Sequence, residues 1–185
     1  MTGRWLWLFP AVFAVHVVEE GLAGEGFGRW IRRVSGREVG AATFFAVNLA
    51  FEVAMVAVVR RATRRARPAD TTHDGGGSGA AQAPAAHDRS GVWVAPALGV
   101  IGVANGLGHL VGGAVTRSYS PGAVSGAGLW APLGLVALRH TRRPLARRDR
   151  RRGLAVGALV SAGVVPLALA LSRPSGPAGP RRDLA

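Results

Sequence analysis

The chain has 185 residues, a mean hydropathy of +0.23 and a hydrophobic content of 49% against 6% aromatic, so its apolar side chains are mostly Ala, Val and Leu. Its formal charge of +13 comes from arginine alone, with no lysine. The arginines gather directly after long apolar runs, which fits the cytoplasmic ends of membrane spans and speaks against a nucleic-acid-binding face, and the absence of cysteine excludes disulfides and thiolate metal ligands.

The first apolar segment covers residues 5–23 and carries His16, Glu19 and Glu20. Its length is near the ~20 residues a helix needs to cross ~30 Å of hydrocarbon. Arg4 and the small residues near Ala23 also give the outline of a secretory signal, but the two glutamates ahead of that point and the polytopic remainder favour a retained helix. The stretch "GFGRWIRRVSGRE" at 26–38 sets Trp30 and Ile31 among arginines and predicts a short amphipathic segment on the membrane interface. The second apolar segment, 39–59, contains Asn48 and Glu52 and runs into "RRATRRAR" at 60–67.

Residues 68–90 are polar, low in complexity and rich in Gly, Ala and Pro, which predicts a flexible linker that tolerates shortening. The third segment, 92–115, contains Asn105 and His109. Pro121 and Gly122 in "TRSYSPGA" (116–123) predict a tight turn into the fourth segment, 121–138. Tyr119, the one tyrosine, is expected either at the membrane interface or as a donor leaning over the polar residues. "RHTRRPLARRDRRR" (139–152) precedes the fifth segment, 153–171, and residues 173–185 predict a disordered tail.

The expected architecture is therefore an all-α, multi-pass bundle of about five transmembrane helices in the cell membrane. Helices 1–2 fall in 1–67, the linker in 68–90, helices 3–5 in 91–172 and the tail in 173–185. Placing both arginine-rich loops in the cytoplasm puts 15 of the 23 arginines inside, with the N-terminus inside and the C-terminus outside.

Ionisable side chains near the bilayer centre cost about 2.5–3.5 kcal/mol on insertion scales and are kept where they find partners. His16 stands three and four residues from Glu19 and Glu20, so the three share one helix face. Asn48 and Glu52 are four apart, as are Asn105 and His109, the two asparagines being the only ones in the chain. With alternating helix directions and 1.5 Å per residue, Asn48 lies ~14 Å and Glu52 ~20 Å below the start of their helix. The three polar pairs can then meet in one layer between the midplane and the outer leaflet.

Three functions fit such a layer. One is acid–base catalysis by His16, Glu20, Glu52, Asn105, His109 and Tyr119 on a hydrophobic small molecule such as a lipid or isoprenoid, with burial holding one carboxylic acid protonated. A second is a metal site, with His16, Glu19, Glu20 and His109 as ligands suited to Zn²⁺ or Fe. The third is a non-enzymatic carrier or assembly protein in which the polar groups bridge helices. The bilayer is the expected partner, and nucleic acid is not.

"HVVEE" at 16–20, "NGLGH" at 105–109 and "YSPG" at 119–122, in that order, resemble the HXXEE domain family of bacterial integral membrane proteins. The resemblance covers roughly residues 5–138 and marks His16, Glu19, Glu20, Asn105, His109, Tyr119, Pro121 and Gly122 as signature positions. It implies a membrane protein but supplies no activity. The set His16, Glu20, Glu52 and Asn105 is also similar in kind to the His, Glu and Asn that emopamil-binding sterol isomerases place in a membrane cavity. That likeness is one of analogy, since the surrounding sequence differs.

Overall fold

The computed structural model describes residues 3–65, 92–142 and 145–174. A 3₁₀ turn (Gly3–Trp7) leads into α1 (Leu8–Leu22), followed by α2 (Gly26–Ser35), α3 (Ala41–Arg65) and α4 (Val94–Thr116). The next helix is composite: α5 (Ala123–Ser125), a π-helical turn (Gly126–Trp130) and α6 (Ala131–His140). It is followed by α7 (Arg147–Leu171). An all-α bundle is what the sequence predicts. Four helices, Arg4–Leu22, Ala41–Arg64, Val94–Thr116 and Arg147–Leu171, are long and apolar enough to cross a membrane. The predicted segment 121–138 is the exception, because a π turn interrupts it and it forms three short elements.

Side-chain contacts fix the helix directions. Phe13 meets Phe51 with ring centroids 5.1 Å apart, and a β-carbon on Gly21 would touch the Phe45 ring, so α1 and α3 are antiparallel. Gly99 faces Gly134, and Gly106 faces Gly126, so α4 runs against the composite helix. Gly153 abuts Trp93 and Gly157 abuts Ala97, so α4 and α7 run parallel. These contacts are backbone on backbone. A β-carbon on Gly106 would lie 2.4 Å from the Gly126 carbonyl oxygen, and one on Gly153 would lie 2.4 Å from that of Trp93. Small residues four apart are what membrane helices use to approach this closely, since lipid gives apolar side chains no preference for each other.

Alternation of direction gives the bundle two unlike ends. One gathers Arg60, Arg61 and Arg64, which lie within α3, and the arginines of 147–152, which form the first turns of α7. The helices thus continue past the apolar runs into the arginines. Arg152 sits 5.3 Å over the Trp93 ring at this end. The other end carries α2, the loop 117–122, and a two-residue antiparallel pairing of β1 (Arg37–Glu38) with β2 (Arg173–Pro174). Ordered structure therefore reaches two residues into the segment predicted to be disordered. The rest of that tail and the linker at 68–90 lie outside the described residues.

α2 is the predicted amphipathic segment. Phe27 stacks on Phe44 at 5.5 Å, and the Trp30 ring covers Gly112. Arg32 and Arg33 face outward, with Arg33 clamped to the Glu25 carboxylate at 2.5 Å. That clamp holds the Glu25 carboxyl below its usual range. The core between the two ends joins Leu6, Phe9 and Phe13 of the N-terminal segment to Met55 and Val59 of α3, Leu98 and Ile101 of α4, and Trp130.

Candidate functional site

His16 is fully buried. Its ring stacks on Trp130, with centroids 5.6 Å apart and planes at 11°, and meets the His109 ring edge-on at 4.9 Å. The Glu20 carboxylate, one turn along α1, points at both imidazoles. Its Oε1 is 3.2 Å from His109 Nε2 and 3.8 Å from His16 Nε2. His16, Glu20 and His109 thus present ligand atoms that all lie within 4.8 Å of one another.

The far side of each imidazole is held by a serine. His16 Nδ1 bonds the Ser125 hydroxyl at 2.9 Å, and His109 Nδ1 bonds the Ser120 hydroxyl at 3.2 Å. This leaves both Nε2 atoms turned to Glu20, and His16 Nε2 is buried with no hydrogen-bond partner of its own. Neither serine was a sequence candidate. Ser120 sits at the variable place of Tyr-x-Pro-Gly, so the motif hid it. Ser125 carries no local signal, since only the helix pairing brings it to His16.

Two glycines close the site. Gly122 has φ +88°, and a β-carbon there would lie 2.6 Å from His16 Cε1, 2.7 Å from Glu20 Cγ and 3.0 Å from His109 Cε1. A β-carbon on Gly126 would lie in ordinary contact with the same rings, 3.4 Å from His109 Cδ2 and 3.5 Å from His16 Cε1. The Pro121–Gly122 turn predicted from sequence is therefore also the roof over the three side chains.

The other sequence candidates part from this group. Glu19 stands outside the group of three. Its carboxylate accepts the Tyr119 hydroxyl and the backbone N–H groups of Val124 at 3.0 Å and Ser125 at 2.6 Å. The N–H groups at the start of a helix have no partner within the helix, and Glu19 supplies one from a different helix. Tyr119 is accordingly bound to Glu19. Burial first, and then the bond to Glu19, push its phenol up to about 12.

Glu52 lies deeper than the triad, because its neighbour Phe51 is level with Phe13 and not with His16. Its Oε2 is buried without a partner. Asn48 is level with the triad but spends its amide on the Phe44 carbonyl, one turn back along its own helix. Asn105 stands one turn below His109, and its Oδ1 is buried without a partner. Glu52 and Asn105 thus sit about a turn deeper than the triad, and side-chain rotation decides which groups meet.

Residues 7–137 match the model of a family described as proteins of unknown function with an HXXEE motif. No curated protein and no solved structure gives a match. The chain belongs to the HXXEE family.

Proposed function

We propose that this HXXEE protein is a multi-pass membrane protein that holds a transition-metal ion, with Zn²⁺ as the best fit, between His16 Nε2, His109 Nε2 and Glu20. The observation that carries the reading is the convergence of two imidazole nitrogens and one carboxylate oxygen around the unpartnered, fully buried Nε2 of His16. Ser125 and Ser120 on the two Nδ1 atoms supply the outer hydrogen bonds that fix ligand tautomers in metal sites. Two His and one carboxylate leave a tetrahedral ion with one open position, the arrangement of catalytic zinc sites, where the ion makes bound water acidic and polarises carbonyl or phosphoryl oxygens. The same donor set also suits non-haem iron.

The expected result is about one metal ion per chain in protein purified in mild detergent through a tag without histidine. His16→Ala and His109→Ala should each lower that content at least tenfold. A wild-type chain that stays metal-free after incubation with Zn²⁺ overturns the reading. It would leave the 3.2 Å His109–Glu20 pair as a metal-free acid–base couple, the second function that the geometry favours.

The membrane part of the proposal rests on the four long apolar helices and the composite helix 123–140. That run is on the order of 27 Å long at 1.5 Å per residue, enough for a fifth crossing. Five crossings put the arginine-rich end in the cytoplasm and the triad in the outer half. Reporter domains fused after Gly75 and after Arg148 should both read as cytoplasmic. An external signal from either reverses the orientation.

A further inference from the structure

The two ends of the bundle treat their arginines differently. At the end that carries α2, Arg33 is clamped to Glu25, Arg32 faces Glu38 at 3.8 Å, and Arg37 donates to the Ser172 hydroxyl at 2.7 Å. At the opposite end, Arg60, Arg61 and Arg64 of α3 and Arg147, Arg148 and Arg151 of α7 are all exposed, and none is in an ion pair among the described residues. Asp149 is the one carboxylate described there. The two sets flank the start of α4, because Val94 packs with Val59 in the core and Gly153 abuts Trp93. On α7 the imbalance is costly. Its first turn is the positive end of a helix, where cations are unfavourable, and no side chain caps it. Arg147 and Arg151, like Arg148 and Arg152, stand one turn apart on one face, where like charges repel. Such turns gain most from an anion outside the chain.

Two tryptophans set the depth of these arginines. Trp93 precedes α4 with the Arg152 guanidinium over its ring, and Trp5 lies 6.4 Å from the His140 ring at the end of α6. Tryptophan settles at the headgroup level of a bilayer. The six residues 147–152 rise on the order of 8 Å, close to the ~5–8 Å of one headgroup layer. The arginines therefore stand among lipid phosphates and do not project far into the aqueous phase. We infer that the first two turns of α7, together with the arginine end of α3, bind anionic phospholipid headgroups of their own leaflet. The inference rests on the membrane reading and is independent of the metal. A phosphate diester carries the charge that α7 lacks, and guanidinium groups take phosphate oxygens in pairs. A zwitterionic head brings its own cation and offers no net charge.

The test gives the full-length chain, in mild detergent, equal amounts of dioleoyl phosphatidylglycerol and dioleoyl phosphatidylcholine and counts bound lipids by native mass spectrometry. The wild type is expected to retain phosphatidylglycerol at least fivefold over phosphatidylcholine. The triple variant Arg147→Gln, Arg148→Gln, Arg151→Gln should cut that preference below twofold with helix content unchanged, since glutamine is a good helix former. Arg60→Gln, Arg61→Gln, Arg64→Gln on α3 repeats the test if the α7 variant fails to fold. Arg29→Gln, Arg32→Gln at the other end is the control and should keep the wild-type preference. Equal retention of the two lipids by the wild type overturns the inference, as does an equal loss in the control and in the arginine-end variants. Displacement of phosphatidylglycerol by inorganic phosphate would make this a site for the free anion, and tighter retention of a single-stranded RNA would make it a nucleic-acid surface; either result overturns the lipid. A chain that stays in solution without detergent overturns the membrane reading itself.

Discussion

Gly122→Ala is expected to lose the metal and to lower the melting temperature. The added carbon would lie within 3.0 Å of all three proposed ligand side chains. The backbone at φ +88° adds strain of roughly 1–2 kcal/mol for a residue with a side chain. Packed interiors charge on the order of 1–3 kcal/mol more for such an overlap, so a total near ~3 kcal/mol is expected. Gly128→Ala is the control, because its β-carbon meets nothing within 4 Å. Thermal unfolding in detergent and metal analysis of the two variants check the claim. Equal behaviour of the two would mean that the Pro121–Gly122 turn does not sit on the triad.

The adjacent glutamates should respond in opposite ways. Glu19→Ala leaves the Tyr119 hydroxyl and the N–H groups of Val124 and Ser125 without their acceptor. It should destabilise by on the order of 1–3 kcal/mol, with metal content following the folded fraction. Glu20→Gln removes a charge from between two imidazoles in a buried site. It should abolish metal binding and leave the melting temperature, read in the presence of chelator, unchanged or higher. Chelator matters because an ion bound only to the folded state would itself stabilise the wild type. A Glu20→Gln protein that melts well below wild type would assign Glu20 to the scaffold.

That split between neighbours shows where reading the sequence stops. Spacing placed His16, Glu19 and Glu20 on one face, and the face is right. One step of ~100° along the helix nevertheless separates a carboxylate turned to His109 from one turned to Ser125. The apolar runs disclosed α1, α3, α4 and α7 to within a few residues, and the mixed Trp/Arg stretch disclosed α2. The arginine runs read as loops because charge ends a hydropathy segment, although arginine is a good helix former and continues α3 and α7. His109 was legible through its four-residue spacing from Asn105. The serines were not, since a serine costs little anywhere in a helix and only tertiary pairing gives Ser125 its histidine.

The π turn at Gly126–Trp130 acts as a phase shifter. In a regular α-helix each residue turns the wheel by about 100°, and residues five apart point in different directions. The wider turn brings Ser125 and Trp130 onto one side, so that one bonds His16 and the other stacks on it, while Gly134 and Ala137 beyond still face inward. The helix is therefore one residue out of step with itself by design. Deleting a single residue from 126–129 would yield a more regular helix in which either the serine or the tryptophan loses the histidine. A search of related chains by helical periodicity alone would misalign this segment by one position, and the pairing of Ser125 with His16 would vanish from view.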